Sequence, residues 1–99
     1  MAEHRRTVGD TYPIKAIITK NKAPVDITGA TGEFNFKKGS GSKQTITGEI
    51  TDGAGGAIQF TPTAEQVTED GSYKFNIKIT QGSTVTTYLK GDLILEDDL

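Results

Sequence analysis

The sequence predicts an all-β domain, an immunoglobulin-like Greek-key β-sandwich of about seven strands, and three observations carry that expectation. The first is alternation: Tyr73, Phe75, Ile77 and Ile79 interleave with Ser72, Lys74, Asn76 and Lys78, the period of a strand with one buried and one wet face. The second is Asp70-Gly71-x-Tyr73 at the head of that run. This is the local pattern of a tyrosine corner, where the phenol hydroxyl turns back to satisfy a backbone group of the preceding crossover. The third is punctuation, since 12 glycines against 3 prolines divide the 99 residues into short runs of apolar and β-branched side chains, as many-turned β domains require. Asp70, Gly71 and Tyr73 are thus the expected structural site. A chain of this length buries one modest core. The expected organisation is a flexible lead-in over residues 1–9, one sandwich domain over 10–96 and an acidic tail over 97–99.

The elements follow in order. His4, Arg5 and Arg6 offer nothing apolar to bury, so the start reads as mobile, and deleting residues 2–9 is expected to leave stability almost unchanged. Tyr12 to Thr19 reads as the first strand, with Ile14, Ala16 and Ile18 inward and Pro13 at its beginning because it lacks a donor. Asn21-Lys22-Ala23-Pro24 turns the chain, and Val25-Asp26-Ile27 is a short extended piece. The next strand, around Thr31 to Lys37, puts Phe34 and Phe36 on one face. Lys38 to Lys43 is a Gly-Ser hairpin tip, and Gln44 to Thr51 resumes a β-branched strand. Asp52 to Gly56 turns into Ala57–Thr61, with Ile58 and Phe60 inward, and Pro62 ends that strand.

Thr63-Ala64-Glu65-Gln66 matches a capping box, which predicts one helical turn near 63–68 with Val67 dipping toward the core. After the central strand, Gln81-Gly82 makes a tight hairpin. In the last strand Val85, Thr87, Leu89, Leu93 and Leu95 share a parity, with a bulge or a close backbone approach expected at Gly91. Phe34, Phe60, Phe75, Ile77 and Leu89 are the expected shared core, and Tyr88, opposite in parity to Leu89, is the exposed ring and a possible partner contact.

Charge and composition narrow the function. The formal net charge is −2, so no global field draws the chain to nucleic acid or an anionic membrane. There is no cysteine, which excludes a disulfide framework and a thiolate metal site. No charged start is followed by an apolar h-region and no apolar run is long enough for a bilayer, so the expectation is a chain neither exported by a signal peptide nor anchored.

Catalytic, cofactor and metal residues are all expected to be absent. His4 is the sole histidine and has no second ligand at a metal spacing. A Ser-His-Asp arrangement has no histidine to use inside the domain. Glu69/Asp70 and Asp97/Asp98 follow no calcium-loop spacing and read as a turn acid and a solvated tail. Gly53-Ala54-Gly55-Gly56 is followed by a strand rather than by the helix a phosphate cradle needs. Lys37, Lys38 and Lys43 make a small basic patch, read as a solvated hairpin tip because the neighbouring phenylalanines have core parity.

Asp10-Thr11-Tyr12-Pro13-Ile14-Lys15-Ala16, Ala23-Pro24-Val25-Asp26-Ile27-Thr28-Gly29-Ala30-Thr31, Phe60-Thr61-Pro62-Thr63-Ala64, Gly71-Ser72-Tyr73-Lys74-Phe75 and Tyr88-Leu89-Lys90-Gly91 stand together in this chain. They resemble the immunoglobulin-like N-terminal domain of bacteriophage baseplate upper proteins and related phage tail and virion proteins, from about Asp10 to Glu96. The resemblance implies a non-enzymatic structural domain of the virion, synthesised in the host cytoplasm. Its partners would be other virion proteins of the tail, baseplate or capsid, with a homo-oligomer in the assembled particle as a further option. Contacts are expected at an open sheet edge or at Arg5 and Arg6 in the lead-in. The alternatives are an immunoglobulin-like module of a bacterial surface adhesin, or a carbohydrate-binding module, which would normally show a platform of exposed aromatic rings.

Overall fold

The computed structural model describes residues 2–39 and 41–96, so Met1, Ser40, the tail at 97–99 and the Asp97/Asp98 pair lie outside the described residues. Nine strands follow in chain order: β1 Ala2–Thr7, β2 Ile14–Ile17, β3 Thr19–Lys20, β4 Ala23–Pro24, β5 Thr31–Lys37, β6 Gln44–Asp52, β7 Ala57–Phe60, β8 Gly71–Gln81 and β9 Thr84–Glu96. A 3₁₀ turn, Ala64–Val67, stands between β7 and β8.

Seven strands form one curled sheet in the order β1-β9-β8-β5-β6-β7-β2. β5, β6 and β7 run as consecutive antiparallel neighbours, and β8 returns by the 3₁₀ connection to lie beside β5. That spatial order, fourth-first-second-third, is the Greek key. The protein is an all-β sandwich.

Alternation in β8 produces the closure. Tyr73, Phe75, Ile77 and Ile79 are buried, and Phe34 of β5 stacks on Phe75 at 4.9 Å and 14°. Phe60 of β7 approaches Phe34 at 5.7 Å, so the curl brings the β6-β7-β2 side over the β5-β8-β9 side. Aromatic contacts at these separations contribute about 0.5–1.5 kcal/mol each beyond the area they bury. Val67 of the 3₁₀ turn is buried in the same cluster. Its turn is fastened by Gln66, whose side-chain oxygen accepts the Thr63 N–H at 2.9 Å, while the Gln66 N–H donates to the Thr63 carbonyl at 3.0 Å. Gly56 sits at φ +73°, and a Cβ there would lie 2.6 Å from the Ile18 carbonyl oxygen. Only glycine suits that backbone and that gap.

The structure departs from expectation in three places. Residues 1–9, expected as a loose lead-in, contain β1, which pairs in parallel with β9 from Ala2↔Gly91 to Thr7↔Glu96. The Val8 N–H then donates to the Glu96 carbonyl and the Gly9 N–H to the Val67 carbonyl. Removing residues 2–9 would therefore strip a paired strand and should lower stability.

The first predicted strand divides around Ile18 into β2 and β3. β3 pairs with β4 through Asn21 and Lys22, both left-handed at φ 53° and 67°, the backbone that tight two-residue hairpins favour. Ile27 is buried in the short segment that leads into the Thr28-Gly29 turn.

The bulge in β9 is at Tyr88, not Gly91. Ile77 pairs with Leu89 while Lys78 pairs with Thr87, so Tyr88 is the extra residue and parity reverses beyond it. Tyr88 is consequently half-buried against the core, whereas Val85 is 60% exposed. Thr87 now shares its face with Lys78. Leu89 keeps inward parity but is 38% exposed, because β1 reaches only as far as Gly91. It is not a core residue.

Candidate functional site

The corner ahead of β8 is built as an anchor for the crossover. Gly71, at φ +136°, lets the chain turn where a side chain would be strained. Tyr73, two residues on, donates its hydroxyl to the Glu69 carbonyl at 2.9 Å. Lys38 donates to the Asp70 carbonyl at 3.0 Å, so two consecutive carbonyls of the crossover are satisfied by side chains. Burial, then the charges of Glu69 and Asp70, raise the Tyr73 hydroxyl pKa above its usual value. The phenol stays protonated and available as a donor to that carbonyl.

Arg5 and Arg6 are neighbours in sequence and opposites in placement. β1 alternates, and its pairing sets His4 beside Leu93 and Arg6 beside Leu95, on the inward face. Arg6 is 4% exposed. Its guanidinium donates to the Tyr12 carbonyl at 2.7 Å, to the Asp10 carbonyl at 3.3 Å and to His4 Nε2 at 3.2 Å, and lies 4.0 Å over the Tyr12 ring. It ties β1 to the segment leading into β2 and is not a free docking group. Since His4 Nε2 accepts, the ring proton sits on Nδ1, and burial followed by the Arg6 charge lowers the His4 pKa. Arg5, on the outer face, is exposed and pairs with Glu3 at 2.7 Å and Glu96 at 3.1 Å.

The described residues hold no group of three or more His, Cys, Asp or Glu side chains able to bind a metal. No described helix is long and apolar enough to cross a membrane. Gly53 to Gly56 is a turn in which Asp52 accepts the Gly55 N–H at 3.2 Å and the Gly53 carbonyl accepts the Ile27 N–H at 2.8 Å.

What the sheet does offer is open edge. β2 ends it on one side, with Ile17 61% exposed. On the other side β1 covers β9 only from Gly91 to Glu96, leaving the outer edge of Thr84–Lys90 without a strand partner among the described residues. Val85 and Leu89 are both exposed there, and Leu89 is the one that the sequence places in the core.

Fold and pairing thus define the class of the domain, a Greek-key β-sandwich. A family model identifies it further: residues 3–90 match the BppU N-terminal domain, and the chain belongs to that family of phage baseplate upper proteins. Among solved structures, the N-terminal domain of phage TP901-1 ORF48 is similar in fold. It has a TM-score of 0.65 at 15% identity, covering 97% of this chain and 84% of that one. No curated protein sequence matches. Membership gives the chain a structural role in the phage tail or baseplate, as a virion component that meets other virion proteins.

Proposed function

We propose that the domain is a non-enzymatic joint of the baseplate, made in the host cytoplasm, which holds neighbouring virion proteins by accepting an extended segment along the open edge of β9. The supporting observation is the unpaired run Thr84–Lys90 with Val85 and Leu89 exposed on it. Free N–H and C=O groups there supply affinity to any strand, and alternate side chains supply selectivity. Arg5, exposed on the adjoining β1, lies on the same flank of the sheet. A glycan-binding reading lacks a platform of several rings: the four phenylalanines and Tyr73 are buried, Tyr88 is half-buried, and Tyr12, 49% exposed, has Arg6 over one face of its ring.

The experiment compares particles assembled with the wild-type chain and with Val85→Lys/Leu89→Lys, substitutions on exposed side chains that leave the core alone. The charged edge should fold normally and lose incorporation, scored by mass spectrometry and antibody labelling of purified virions. Absence of the wild-type chain from particles, together with glycan affinity or hydrolytic turnover of the isolated chain, would sink the structural reading.

A further inference from the structure

A cleft of about 520 Å³ opens on the outer face of β5, β8 and β9, beside the Lys38–Lys43 loop, and Asn35, Lys37, Lys43, Lys74, Asn76 and Lys90 line it. We propose that this cleft seats an acidic segment of a neighbouring virion protein, an inference that rests on the structural reading above and gives one contact its chemistry.

Cross-strand register makes the cleft a convergence of donors. One row of paired positions runs Lys37–Lys74–Asp92 and the next runs Thr45–Asn35–Asn76–Lys90. Lys37 and Lys74 therefore stand directly opposite each other, a like-charge pair that costs stability in an empty sheet and that a bound anion offsets. Lys74 has Asp92 at 2.6 Å, while Lys37, Lys43 and Lys90 make no ion pair among the described residues.

The floor is oriented in the same sense. Thr45 donates to the Asn35 oxygen at 2.7 Å, and the Asn35 amide donates to the Asn76 oxygen at 3.1 Å. With its oxygen committed to Asn35, Asn76, which lines the cleft, keeps its NH₂ group as another donor. Asn35 itself is 4% exposed, so this relay is held in place rather than free to flip. Ammonium and amide donors around one hollow match carboxylates, and they do so on a chain whose overall balance is −2.

A peptide fits better than a nucleic acid. Phe36 and Phe75, the aromatic residues among those that line the cleft, have their rings buried in the core. Stacking on exposed rings, which single strands use, is therefore not offered. The net negative charge also opposes a polyanion much longer than the cleft.

The test combines particles and solution. Purified virions are treated with a carbodiimide, which links a lysine amine to a carboxylate within salt-bridge reach, and the crosslinked peptides are mapped. In parallel the 99-residue chain is titrated with hexaglutamate and with a short single-stranded oligothymidylate, at low and high salt. The expected results are crosslinks from Lys37, Lys43 or Lys90 to Asp or Glu of another virion protein, and salt-sensitive hexaglutamate binding. Lys37→Gln/Lys43→Gln/Lys90→Gln should weaken that binding about tenfold and reduce incorporation, while the triple Arg variant should keep both. Normal incorporation of the triple Gln variant, with crosslinks only from other lysines, overturns the inference and leaves the structural reading intact. Tighter binding of the oligonucleotide than of hexaglutamate overturns it in favour of nucleic acid. A wild-type chain missing from virions removes the structural reading, and the inference with it.

Discussion

The two halves of β9 carry apolar side chains at the same sequence parity, Val85 and Leu89 in one and Leu93 and Leu95 in the other, and have different fates. From Gly91 to Glu96 the strand lies between β1 and β8, and Leu93 and Leu95 are 1% and 2% exposed. From Thr84 to Lys90 it has β8 alone, and Val85 and Leu89 are 60% and 38% exposed. Alternation decides which face a side chain takes, whereas burial depends on what lies across that face and beside the strand. A leucine at inward parity is core only where a neighbour covers it, and an uncovered one is a contact surface in waiting.

The largest effect belongs at the boundary between the halves. Phe75 pairs with Gly91 and stacks on Phe34, so Phe75→Ala should cost about 3–5 kcal/mol, much of an ordinary domain's stability. Equilibrium urea denaturation checks it, and an unchanged midpoint would mean that the central strand does not hold the two sides of the sandwich together. Leu93→Ala, in the covered half, should cost about 2–5 kcal/mol, and Leu89→Ala, in the open half, about 1 kcal/mol or less. Equal losses would erase the distinction between the halves.

The central fold was legible because β5, β7 and β8 alternate cleanly, and the turns between them carry glycine or proline. The N-terminal strand was hidden for a physical reason. Its inward positions are His4 and Arg6, polar groups whose burial is tolerable only because carbonyls of Asp10 and Tyr12, four and six residues on, receive the guanidinium. No periodicity of apolar residues signals such a strand. The bulge was misplaced because glycine is the usual marker, yet Gly91 continues the ladder and the aromatic Tyr88 is the inserted residue. The cleft lysines were visible as a basic patch. Lys74 and Lys90 joined it only through strand register, which the sequence does not state.

The corner offers a smaller, cleaner perturbation of the covered half, since Tyr73 pairs with Leu93. Tyr73→Phe keeps the ring against Phe36, 5.7 Å away, and removes only the hydroxyl that serves the Glu69 carbonyl. A loss of about 1 kcal/mol is expected in the same denaturation assay, more if that carbonyl finds no water. No loss would mean that the crossover is held by the Lys38 contact to Asp70 and by packing, without the phenol.

The smallest expected effect is a pH dependence confined to the covered half, where His4 sits beside Leu93. In the folded chain its pKa lies below the usual 6.5, chiefly because burial penalises the imidazolium and secondly because Arg6 repels it. Protonation at Nε2 would also end the hydrogen bond that Arg6 donates there. The unfolded chain then binds the proton more readily than the folded one, so stability rises with pH wherever the two differ in occupancy. His4 thus contributes fully above 6.5, and its contribution is lost as pH falls through 6.5 and then through the lower folded value. Urea midpoints measured between about pH 7.5 and pH 5 should fall for the wild type and flatten in His4→Gln, with carboxylate titrations common to both. Val85→Lys, in the open half, should keep the wild-type slope. A His4→Gln slope identical to wild type would place the ring in water, and β1 would then cover Leu93 less tightly than its pairing implies.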